Sequence, residues 1–146
     1  MNFKIIKNSL QNTNLHLIIS ASIVIPAGLY YGFGINFIFT QFVDIRGITT
    51  DVSSIYKAIM GLYLAFASLW ILGIFKNDYW KTATITNILF MLGLVLGRII
   101  SIIFDGIPST IFILGTIGEL VLGFYGWYQL KIFKSISKPQ RFEKNL

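Results

Sequence analysis

The chain has 146 residues, of which 55% are hydrophobic and 12% charged, with a formal net charge of +6. A soluble domain carries about a quarter charged residues, so this composition leaves too little polar surface for a water-soluble fold and points to a membrane protein. With no cysteine and a single histidine, the sequence excludes disulfides, thiol redox chemistry, cysteine-ligated zinc or iron–sulfur centres and bis-histidine haem within one chain.

Taken from the N-terminus, Lys4 and Lys7 precede the first apolar stretch, about 15–33. A cleaved signal peptide fits poorly. The stretch is too long for its hydrophobic region, and the one small-residue triplet, Ser20-Ala21-Ser22, falls inside the stretch rather than after it. An uncleaved helix bent near Pro26 is expected, with His16 as a polar residue at the membrane surface. Next comes GINFIFTQFVDIRG, too short to cross a bilayer. Phe33, Phe37, Ile38 and Phe42 fall there at helical spacings, as in an amphipathic segment on the outer leaflet. Interfacial packing is the role expected of it, with a lid over a cavity as the alternative.

Three further apolar runs follow at about 54–75, 82–104 and 107–132, each long enough for a hydrocarbon core that needs about 20 residues. Residues 133–146 form a basic tail. No Gly/Ser-rich linker or charge block divides the chain, so residues 1–146 read as one domain: an all-α, integral membrane four-helix bundle with the short amphipathic segment between helices one and two. Lysine and arginine outside the spans gather at Lys4, Lys7, Lys76, Lys81, Lys131, Lys134, Lys138, Arg141 and Lys144, whereas the other two loops offer Arg46 among Asp44, Asp51 and Asp105. This asymmetry predicts a multi-pass protein of the bacterial cytoplasmic membrane with both termini cytoplasmic. It is also the distribution of flanks beside anionic lipid rather than of a nucleic-acid partner.

Intramembrane charge is the feature that asks for a function. At 100° per residue, Arg98, Ser101 and Asp105 share one face of the third helix, continued backwards by Leu94, Met91, Asn87 and Thr84. Charges in hydrocarbon cost at least about 2.5–3.5 kcal/mol each, so this stripe should face protein or water. On the fourth helix Glu119 shares a face with Pro108, Phe112, Gly115, Gly123 and Gly126. Arg98 and Glu119 are the expected pair, with Asp105 nearer the outer mouth. A rise of 1.5 Å per residue sets the two about 9 Å apart in depth, within reach of two leaning side chains or one bridging water. Lys57 on the second helix is free to snorkel outward or turn towards Asp105. Gly61, Gly93, Gly97, Gly115 and Gly123 are expected to let helices two, three and four approach closely.

The segments LGLVLGRIISIIFDGIPS, GELVLGFYGWY and KAIMGLYLAFASLWILGI resemble the family called domain of unknown function 4345, small bacterial membrane proteins with four predicted helices. The resemblance covers roughly Tyr56 to Trp127, and Arg98, Ser101, Asp105, Gly106, Pro108 and Glu119 match its pattern. Lys57 departs from it, standing where the family would have arginine, and lysine lacks the bidentate fork. The resemblance implies the fold and no activity.

No activated nucleophile accompanies these charges: Ser101 has no histidine neighbour, and no metal-ligand cluster exists. The chain therefore reads as a binder rather than an enzyme, with no catalytic or metal-ligating residue and no cofactor. Arg98, Ser101, Asp105, Glu119 and Lys57 are candidate contacts for a small amphiphilic or lipid-like ligand held between helices two, three and four. Its expected partners are the lipid bilayer, that ligand and a second copy of the chain. The first alternative is an assembly subunit whose charges only fix helix packing; a membrane-embedded acid/base enzyme comes third.

Overall fold

A computed structural model describes residues 13–33 and 50–137, with side chains to residue 133. The predicted amphipathic segment and the bases Lys4, Lys7, Arg46, Lys138, Arg141 and Lys144 lie outside the described residues. The described residues form four helices: α1 (Leu15–Phe33), α2 (Thr50–Phe75), α3 (Asn77–Asp105) and α4 (Thr110–Ser137). All four are long and apolar enough to cross a membrane. The chain is an all-α membrane bundle.

Helices α2 and α3 begin four and five residues earlier than the apolar runs predict. Asn77, Asp78, Lys81 and Thr82 are polar, but none breaks a helix, and Asp78 in the first turn of α3 complements the helix dipole. The predicted loop shrinks to Lys76, in extended conformation. Its backbone N–H donates to the Leu72 carbonyl at 2.8 Å, and its carbonyl accepts from Tyr79 N–H at 3.0 Å. At the opposite end Gly106 takes φ 98°, a value open to glycine and few others, and the turn to α4 is complete by Ser109.

Packing is closest within α1–α2 and within α3–α4, and α2 joins α3 between the two hairpins. Towards lipid each helix shows an apolar row at heptad spacing, as Leu89, Leu96 and Ile103 do on α3 and Leu114, Val121 and Tyr128 on α4. Inward, Leu17, Ala21, Val24, Tyr63, Ala67, Trp70, Trp80, Ala83 and Met91 form the core. Glycines allow its tightest contacts. A Cβ at Gly28 would lie 2.8 Å from Tyr63 Cβ, one at Gly73 would overlap Ala83 Cβ, and one at Gly123 would lie 3.0 Å from Leu92.

The packing expected at Gly61, Gly93 and Gly97 does not form among the described residues: a Cβ at any of the three would meet none of them within 4 Å. Each lies two residues beyond a buried position (Tyr63 to Gly61 counted backwards, Met91 to Gly93, Val95 to Gly97), about 200° around its helix and so on the far side from the core. Small residues permit a close approach without dictating which face takes it.

Candidate functional site

The polar face of α3 runs from the inside of the bundle to its edge. Thr84, Asn87 and Met91 are fully covered, Leu94 and Arg98 half-buried, Ser101 and Asp105 exposed. At the half-buried level Arg98 meets Glu119 of α4 in a two-point contact. Nε donates to Oε2 and Nη2 donates to Oε1, each at 2.9 Å. The two side chains keep 24% and 15% of their surface. This is the bidentate fork that makes arginine–carboxylate pairs both strong and oriented.

Direct contact replaces the expected depth gap of about 9 Å because α4 starts at Thr110 rather than near residue 107. Glu119 is then nine residues below the start of α4, and Arg98 seven below the end of α3, a difference of about 3 Å that leaning side chains cover. Gly115, one turn above Glu119, leaves room for the guanidinium: a Cβ there would lie 3.9 Å from Nη2. The Phe112 ring stands under the guanidinium at 5.4 Å, near enough for a cation–π contribution.

Two residues outside the predicted set also belong to this level. Tyr31 of α1 and Tyr63 of α2 lie close enough to interact electrostatically with both Arg98 and Glu119. They pack edge to face at 5.7 Å, Tyr31 stacks on Tyr56 at 6.1 Å, and Tyr63 abuts Phe90 at 5.0 Å. All four helices thus contribute to one polar level walled by aromatic rings. Helical-wheel geometry cannot find these tyrosines, because it relates residues within a helix and not between helices.

The other predicted residues stand apart from this pair. Ser101 Oγ donates to Asp105 Oδ2 at 2.9 Å across one exposed turn. Lys57 is exposed and forms no ion pair with any described carboxylate. No group of three His, Cys, Asp or Glu able to hold a metal occurs among the described residues.

A second polar level lies towards the α2–α3 turn. His16 is fully buried rather than at the surface, and its Nε2 shares a hydrogen bond of 3.1 Å with Thr84 Oγ1. Trp80 and Tyr125 meet its ring edge-on, each at 6.1 Å. Trp80 is buried as well. The sign of this level in the sequence is the spacing of His16 and Ser20, one turn apart on one face of the first apolar run.

No curated protein and no solved structure matches the chain. One family does, the one described as a domain of unknown function (DUF4345), over residues 12–130. The match takes in the first helix and reaches further than the resemblance at residues 56–127 suggested. It includes both polar levels and every helix of the bundle. The chain belongs to the DUF4345 family.

Proposed function

We propose that the Arg98–Glu119 level binds the polar end of a lipid-like amphiphile whose hydrocarbon lies along the apolar faces of α3 and α4. One observation carries this reading. A guanidinium has five N–H donors, and Glu119 engages one on Nε and one on Nη2. The donors that remain, both on Nη1 among them, stand at a part-exposed position on an otherwise apolar bundle, where oxygen acceptors of a head group would be welcome. Asp105, exposed about two turns further along α3, suits a hydroxyl or ammonium of the same head group. The residues support binding and offer no nucleophile for catalysis.

The test uses the full chain in detergent with short-chain phosphatidylglycerol as probe and diacylglycerol of equal chain length as control. The phospholipid should raise the melting temperature of the parent by several degrees and the control should not. In the double variant Arg98→Leu/Glu119→Leu the shift should vanish while the protein stays folded, because apolar residues can replace a buried pair at little cost. An undiminished shift in that variant would remove the site.

Assembly is the second reading, favoured by the open faces at Gly61, Gly93 and Gly97. A second copy packing there would use the glycines that the described residues leave unfilled.

The orientation, with both termini cytoplasmic in a bacterial inner membrane, rests on the lysine and arginine asymmetry. The chain has no cysteine of its own, so single cysteines report cleanly. An impermeant maleimide added to intact cells should label Asp105→Cys and spare Lys76→Cys. The reverse pattern would invert the topology.

A further inference from the structure

We infer that the level around His16 is an internal water-binding site, separate from the amphiphile site. Besides His16 Nδ1, four polar atoms of three side chains there are buried with no hydrogen-bond partner among the described residues: Ser20 Oγ, Trp80 Nε1 and both Oδ1 and Nδ2 of Asn87. Their residues are 0%, 4% and 0% exposed. Such groups are costly in any protein, and inside a bilayer no bulk solvent can reach them.

They form one set rather than scattered defects. Ser20 stands one turn from His16 on α1, and Trp80, Thr84 and Asn87 follow one another along a single face of α3, with Thr84 bonded to His16. Across from them α4 presents Gly126. A Cβ there would come within 3.4 Å of His16 Cδ2 and 3.6 Å of Asn87 Oδ1. Ile88 Cγ1 would lie nearer still, at 3.0 Å, so it is the missing side chain that lets Ile88, His16 and Asn87 close on α4. Trp70 Nε1 is also buried without a partner, but its ring packs against Phe66 and Phe90, and nothing places it against this set.

The inventory selects the ligand. Trp80 offers one N–H, Asn87 two, and Ser20 an O–H, while Asn87 Oδ1 and Ser20 Oγ accept. A ligand must therefore both donate and accept. The set contains no carboxylate to attract a cation and no lysine or arginine to hold an anion. A buried water makes about three hydrogen bonds, and proteins hold about one per 27 residues. Water is the smallest molecule that meets every requirement. Asn87 and Arg98 are eleven residues apart, about 16 Å along α3, and fully buried Met91 lies between them, so this water does not belong to the Arg98–Glu119 level.

Water-edited solid-state NMR of the full chain in liposomes tests this directly. The backbone amide of Lys76, exposed in the α2–α3 turn between two spans, serves as internal reference. Magnetisation from water should reach the Asn87 side-chain amide and the Trp80 indole within the mixing time that saturates the Lys76 amide. Asn87→Leu should cut the Trp80 signal at least fivefold, and Ser20→Ala, the milder change, should reduce it without disturbing the fold. Absence of transfer to both groups of the parent protein at ten times that mixing time would overturn the inference, whatever the variants do.

Discussion

Replacing Glu119 by leucine should destabilise the bundle far more than replacing it by glutamine. Leucine leaves Arg98 half-buried without a counter-charge, and breaking a buried pair from one side costs about 3–5 kcal/mol. The lower part of that range applies, because Arg98 keeps 24% of its side-chain surface and its long stem lets the head lean outward. Glutamine keeps an acceptor for one arm of the fork and should cost about 1–2 kcal/mol. Thermal unfolding in detergent reads the difference. Arg98→Leu added to Glu119→Leu should recover most of the loss, since it removes the stranded charge. Equal and negligible effects of the two single changes would show that the pair contributes nothing to stability.

Gly73→Ala should be the most damaging single-methyl change, because the new Cβ would overlap that of Ala83 across the α2–α3 contact. The obstacle is the first carbon of a side chain fixed to a helix backbone, so it cannot swing away. Overpacking of this kind costs about 1–3 kcal/mol. Ala83→Gly in the same chain should recover the clash and lose only about 0.5–1 kcal/mol of helix propensity. Gly61→Ala is the control. With open space around it, that change should leave the melting temperature unchanged or raise it slightly. A drop at Gly61 equal to that at Gly73 would show that α2 is packed there by something other than the described residues.

Fold and ion pair were legible in the sequence for the same reason. Both depend on what one helix does by itself: how long its apolar run is, and which residues share its face at 100° per residue. Arg98 and Glu119 each projected from an apolar helix, and two opposite charges in such surroundings have few other partners. What lay between helices was harder to read. The depth of Glu119 depended on where a turn ended, and Gly106-Ile107-Pro108-Ser109 gave no sign that α4 would wait until Thr110. Gly93 and Gly97 had the right spacing for a seam but pointed away from the core. His16 looked interfacial because it opens an apolar run, yet Trp80 and Tyr125 enclose it. Burial of a polar residue at a helix start depends on its neighbours' side chains, which the residue's own segment does not contain.

The connectivity of the two polar levels sets an order of events during synthesis. Arg98 and Glu119 are 21 residues apart on adjacent helices joined by a short turn. They can neutralise each other as soon as α3 and α4 exist as a hairpin, before either must stand alone in hydrocarbon. His16 and Thr84 are 68 residues apart, and their bond waits until the first helix has been held in the bilayer for the time it takes to make two more. Loop-closure entropy favours the same sequence, with the local hairpin first and the long-range contact last. The ion-paired level of this bundle is thus settled early, and its histidine-containing level closes the fold.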